Sequence, residues 1–127
     1  MNVLDEQVRT DQRNLLKKWR IHVRQIGKDI APAGIQDELI IPFLLTLKRP
    51  TLFTEDQGFF NRTLVHRAYA LIWLDVGDIE VAEYIRRFLR HRRFNTHSKR
   101  LGAVARVRHG AVHFWQYPIP RLQKEKW

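Results

Sequence analysis

Five consecutive apolar residues, Ala70-Leu71-Ile72-Trp73-Leu74, end abruptly at Asp75. A strand with one wet face alternates between apolar and polar residues, whereas a run of strand length without alternation has both faces covered. Such a strand belongs in the middle of a parallel sheet with helices packed above and below. The C-terminal part reads differently. Ala103–Arg108 and Ala111–Gln116 alternate on either side of His109-Gly110, the pattern of an antiparallel hairpin around a tight turn. A mostly parallel sheet with a hairpin at its edge is therefore expected.

The remaining segments supply the layers. Residues 7–19 carry Val8, Leu15, Leu16 and Trp19 at helical spacing. Residues 21–26 read as a short strand, followed by a turn-rich stretch from Gly27 to Gly34. Ile35, Leu39, Ile40, Phe43, Leu44 and Leu47 predict a helix over 36–47, interrupted by Pro42, which removes a donor and biases Ile41 away from helical geometry. Met1–Leu4 and Thr51–Thr54 read as strands, and Phe59-Phe60 anchors a short turn or helix reaching about residue 64. Residues 79–90 form the clearest helix, with Ile79, Ala82, Ile85 and Leu89 on one buried stripe. This order predicts a single α/β domain of three layers, α/β/α, spanning 1–117, with 118–127 as a basic tail. At 127 residues and 44% hydrophobic content the chain has enough material for one core.

Three acidic pairs punctuate the first half: Asp5-Glu6, Asp37-Glu38 and Glu55-Asp56. The first and third directly follow predicted strands. Parallel α/β sheets place ligands at the carboxyl edge of their strands. Carboxylates gathered there repel one another, and a hard divalent cation with oxygen ligands relieves that repulsion. Mg²⁺ or Mn²⁺ is the expected occupant.

Charge divides unevenly along the chain. Residues 1–60 hold 9 Lys/Arg against 8 Asp/Glu, and residues 61–127 hold 14 against 5. The basic half favours a polyanion, with nucleic acid ahead of a membrane because no basic amphipathic segment presents a broad apolar face. The expected RNA-backbone track comprises Arg86, Arg87, Arg90, Arg92, Arg93, Lys99, Arg100, Arg106 and Arg108. Trp115 or Tyr117 stands ready for base stacking, while Phe114 and Trp73 read as core. Without cysteine there is neither a disulfide framework nor a thiolate zinc site. No leader or spanning segment is apparent, so the expected setting is the cytoplasm. His109 and His113 have i,i+4 spacing, which makes no metal face in a hairpin. Ser98, the only serine, lacks a nucleophile-elbow pattern.

Taken in order, Val3-Leu4-Asp5-Glu6, Gln36-Asp37-Glu38-Leu39-Ile40 and Phe53-Thr54-Glu55-Asp56 with Phe59 resemble the PIN-like nuclease family, in particular its small branch of predicted toxins from prokaryotic toxin–antitoxin pairs. The resemblance covers roughly residues 1–110. It implies a Mg²⁺- or Mn²⁺-dependent ribonuclease with Asp5, Glu38 and Asp56 as catalytic metal ligands and Glu6 and Asp37 as neighbouring ligands. It further implies an antitoxin partner and the dimers common among such domains. Two departures stand out. Gln7 replaces the Asn that usually follows the first acid pair, and Gly58 replaces a further Asp. These point to one metal instead of two, or to weakened activity, and leave a catalytically weak RNA-binding or antitoxin-docking module as the alternative.

Overall fold

In the computed structural model, which describes residues 1–127, seven strands form one sheet in the order β2-β1-β3-β4-β5-β6-β7. The strands are β1 (Asn2–Leu4), β2 (Arg24–Gln25), β3 (Thr51–Thr54), β4 (Ala70–Leu74), β5 (Ala103–Val107), β6 (Ala111–Gln116) and β7 (Ile119–Lys126). β1 to β5 are parallel, and β6 and β7 return antiparallel. The helices are α1 (Thr10–Lys18), α2 (Asp37–Leu44), α3 (Val81–Arg90) and the short α4 (His97–Arg100). Short 3₁₀ turns lie at Gln57–Phe59, Arg62–Leu64 and Asp78–Glu80. The α/β class, the mostly parallel sheet and the C-terminal hairpin all match the expectation from sequence.

Alternation within each strand sorts the core into two layers. Leu4, Phe53, Ile72, Ala105 and Phe114 point to one side, where they meet Leu16 of α1 and Ile85 and Phe88 of α3. Val3, Leu52, Leu71 and Val104 point to the other, where they meet Ile40 and Leu44 of α2. β4 sits in the middle with Ala70, Leu71, Ile72 and Leu74 buried, as its unbroken apolar run requires. α1 places Asp11 in its first turn and Lys17 and Lys18 in its last, complementing the helix dipole.

Four local readings change. The helix expected from residue 79 begins at Val81, and Ile79, in the 3₁₀ turn before it, is 71% exposed instead of buried on its stripe. α2 runs through Pro42 instead of breaking there. The donor that proline lacks would have met the carbonyl of Glu38 four residues earlier, and both residues are exposed, where a carbonyl is open to solvent. The strand expected over 21–26 shrinks to Arg24–Gln25, and a turn closes its end, the Gln25 amide donating to Asp29 Oδ2 at 2.8 Å and the Gln25 carbonyl accepting from the Asp29 amide at 2.9 Å. Residues 119–126, read as a tail, form β7 paired along β6. Their prolines and charges hid an edge strand, where such residues are tolerated on the unpaired side.

Candidate active site

The strand order places β1 between β2 and β3, so the chain leaves β1 toward one side and resumes on the other. Connections diverge at such a point and open a crevice outside the carboxyl ends of the strands. Asp5 ends β1 and Thr54-Glu55-Asp56 ends β3, two strands in direct register. Asp5, Glu6, Gln7, Asp37, Glu55 and Asp56, with Ile35 and Ile40, line a cleft of about 360 Å³ at this point. All three acidic pairs therefore contribute to one edge of the sheet, although one member of the second pair does not reach the cleft.

Asp5 is the most buried member. Its Oδ1 accepts from the Glu6 amide at 2.8 Å and its Oδ2 from Thr54 Oγ1 at 2.7 Å. The same Thr54 hydroxyl accepts from the Asp56 amide at 3.0 Å, so one buried threonine orients two acid stations. Burial pushes the Asp5 carboxyl above its usual range; the bonds from Thr54 and Glu6 oppose this, and repulsion from Asp37 and Asp56 adds to it. Glu55 is pushed up to about 7, first by burial and then by the neighbouring Asp78 carboxyl, with Asp5 adding repulsion. Neither carboxyl forms a salt bridge, although the chain carries a net charge of +10.

The remaining acids divide by role. Asp56 Oδ1 accepts from Gly58 N at 2.8 Å and caps the turn that follows. A Cβ at Gly58 would lie 3.1 Å from that oxygen, so a larger residue there would press on Asp56. Glu6 lines the cleft, yet its carboxylate accepts from Gly34 N at 2.9 and 3.2 Å and binds the 27–34 loop to the sheet. Glu38 is exposed on α2 and does not line the cleft; Asp37 does. Helix phase accounts for the exchange: Asp37 lies three residues before buried Ile40, on the stripe that faces the sheet, and Glu38 lies outside it. That stripe was visible in the sequence and would have selected Asp37. Thr54 and Asp78 carried no comparable signal.

The donors suit a hard cation in type and place, since carboxylates from three separate segments surround one cleft. In distance they fall short: no three His, Asp or Glu side chains in the protein approach closely enough to hold a metal ion as they stand. Closing that gap requires side-chain rotation toward a shared point.

The expected RNA track does not form one surface. Arg86, Arg87 and Arg90 lie on α3, on one side of the sheet. Arg106 alternates with Ala105 and Val107, which face α3, and so projects from the opposite side. Many of these cations are already engaged. Arg86 pairs with Glu83 and stacks 3.8 Å over Trp19, and Arg87 meets Glu83 at 3.2 Å. Arg93 donates to Gln116 at 3.1 Å, and Lys99 Nζ to the Arg92 carbonyl at 3.0 Å. Arg106 binds Asp75 Oδ2 through Nε at 2.9 Å and Nη2 at 2.6 Å. Arg100 is only 4% exposed and donates to the Phe94 carbonyl at 2.8 Å, so it has no access to RNA. Arg90, Arg92 and Arg108 remain exposed.

No protein-family model, curated protein or solved structure matches the chain. No helix is long and apolar enough to cross a membrane.

Proposed function

We propose that this protein is a divalent-metal-dependent ribonuclease that hydrolyses RNA phosphodiester bonds at the acid cleft, in the manner implied by its resemblance to PIN-like toxins. The observation that carries the reading is the cleft itself. Four carboxylates, Asp5, Asp37, Glu55 and Asp56, line it at the topological switch point with no salt-bridge partner in a strongly basic protein, and Asp5, Glu55 and Asp56 are partly or fully buried. Unpaired, partly buried carboxylates are unfavourable unless a cation or a functional proton compensates them.

In this reading Asp5, Asp37 and Asp56 hold Mg²⁺ or Mn²⁺, which when bound supplies a water of lowered pKa and stabilises charge on the phosphoryl oxygens. Thr54 positions Asp5 and Asp56 together. Glu55, pushed up to about 7 by burial and by Asp78, stands ready to exchange a proton near neutral pH. RNA is the partner, an antitoxin and a second copy of the chain are the protein partners implied by the resemblance, and the setting is cytoplasmic.

The lack of a converged three-carboxylate set favours one second reading, a catalytically weak module that binds RNA or docks an antitoxin. A single series separates the two. RNA cleavage is measured with Mn²⁺, with EDTA, and for Asp5→Asn, alongside thermal melts of each form. The nuclease reading expects cleavage only with the metal, a loss on the order of 100-fold or more in Asp5→Asn, and Mn²⁺-induced stabilisation that shrinks in the variant. RNA binding without cleavage under any metal selects the second reading, and cleavage that survives both EDTA and the substitution removes the metal mechanism.

A further inference from the structure

The two faces of the sheet are not equally covered. On one, α1 and α3 pack across β1, β3, β4, β5 and β6. On the other, α2 covers the β1–β3–β4 end, and beyond it only the turns at 57–65 reach the sheet. The uncovered part carries a row of side chains in direct register across four strands. Trp73 pairs with Arg106, Arg106 with His113, and His113 with Lys124. Directly opposed residues share a face, so these four form one line across the sheet. Trp115, two residues beyond His113, is on the same face.

This line joins the acid cleft. Thr54, which binds Asp5, is the register partner of Trp73. Four residues after Asp56, Phe60 lies against the row, 4.8 Å from the Trp115 ring and 5.8 Å from Trp73. Asp75 fixes the Arg106 guanidinium 5.1 Å over the Trp73 ring and leaves its Nη1 without a partner. His113 Nε2 is buried without a partner. Trp115 also walls an apolar groove of about 210 Å³ with Val65, Tyr117 and Ile119, room enough for one base, and Arg62 is part of its lining. Tyr117 is 51% exposed there.

Bare cations would suit any polyanion, and bare aromatics any apolar partner. Here the two kinds are interleaved on one face, Trp73 and Trp115 beside Arg106 and Lys124, and the acid bonded to the row is Asp75, already used to position Arg106. Single strands are the polyanion with unstacked bases, and aromatic platforms with interleaved cations are how proteins hold them. We propose that the uncovered face of β4 to β7 is a track for single-stranded RNA that delivers the strand to the acid cleft. The proposal rests on RNA being the ligand of that cleft, and it places recognition on this face instead of on the arginines of α3.

The test is fluorescence anisotropy with a labelled single-stranded oligoribonucleotide, in EDTA so that binding is read without cleavage. A blunt RNA duplex and polyglutamate serve as competitors. The track predicts preference for the single strand over both, and a loss on the order of tenfold or more for Trp115→Ala. Lys124→Glu, an exposed position that leaves the core intact, is expected to weaken binding and reduce its salt slope by about one contact's share, roughly 0.7 in log–log terms for single strands. Arg87→Gln and Arg90→Gln on α3 should leave affinity within about twofold. Loss confined to the α3 variants, equal binding of duplex and single strand, or tighter binding of polyglutamate, the mark of a surface for acidic protein, each overturns the proposal. Single-strand binding that depends on Trp115 and Lys124 but never leads to cleavage keeps the track and removes the nuclease.

Discussion

The acid cleft and the arginine-rich half treat their charges in opposite ways. In a chain with ten excess positive charges, Asp5, Asp37, Glu55 and Asp56 stand without a cation partner, while Arg86, Arg87, Arg93 and Arg100 are each tied to groups of the protein itself. Charge count alone pointed to the arginines as the functional surface. Pairing points elsewhere. A cation held by its own protein contributes to the fold and has little left for a ligand, whereas a carboxylate kept from abundant nearby cations retains its capacity for one.

The largest test of this contrast is Thr54→Val. Thr54 Oγ1 donates to Asp5 and accepts from the Asp56 amide, and valine does neither. Leaving a buried carboxylate and an amide without partners is expected to cost about 2–3 kcal/mol in a denaturant titration. It also raises the Asp5 pKa further, since the Thr54 bond is what opposes burial. An unchanged midpoint would mean that the cleft is held by something other than this threonine.

Arg100→Ala comes next, at about 1–2 kcal/mol. The substitution leaves the Phe94 carbonyl unpaired and a void beneath it, and relief of a buried charge offsets part of that loss. RNA affinity and its salt slope should not move. If the slope falls, Arg100 reaches phosphate and the division between paired and free charges is drawn in the wrong place.

The smallest effect concerns protons. Glu55 titrates at about 7 in the folded protein against 4.5 when unfolded. Between those values the folded state holds a proton that the unfolded state releases, so Glu55 lowers stability progressively as pH rises from about 4.5 to 7. His97 and His113, whose pKa values are lowered by burial, act in the opposite sense over part of that range, so the quantity to compare is wild type against Glu55→Gln. The variant should gain on wild type by about 1 kcal/mol across this window, solvent screening having reduced the full shift. A gap that stays constant with pH would show that burial and Asp78 do not raise the Glu55 pKa on folding.

What could be read from sequence followed the strength of each local signal. The run 70–74 announced a covered central strand, and the acids after β1 and β3 marked the site, because strand ends are punctuated by a change of residue type. The choice between Asp37 and Glu38 turned on helix phase, which Ile40 and Leu44 encoded. Asp78 comes to Glu55 from beyond β4, a contact set by strand order and so invisible to any local pattern. Arg100 is an arginine in a buried place, against the usual preference of its type. β7 escaped notice because edge strands are selected against looking like strands.

That last feature has a practical side for anyone handling the protein. β7 covers the outer edge of β6, whose Val112 and Phe114 are buried, and Trp127 fastens its end by donating to the Arg108 carbonyl at 2.7 Å and packing against Tyr84 and His91. Its own free edge carries Pro120, Lys124 and Lys126, poor company for another strand. A shortened version ending at Gln116 would trade that guarded border for a bare, apolar one, and would be expected to clump during purification however well the rest of the domain folds.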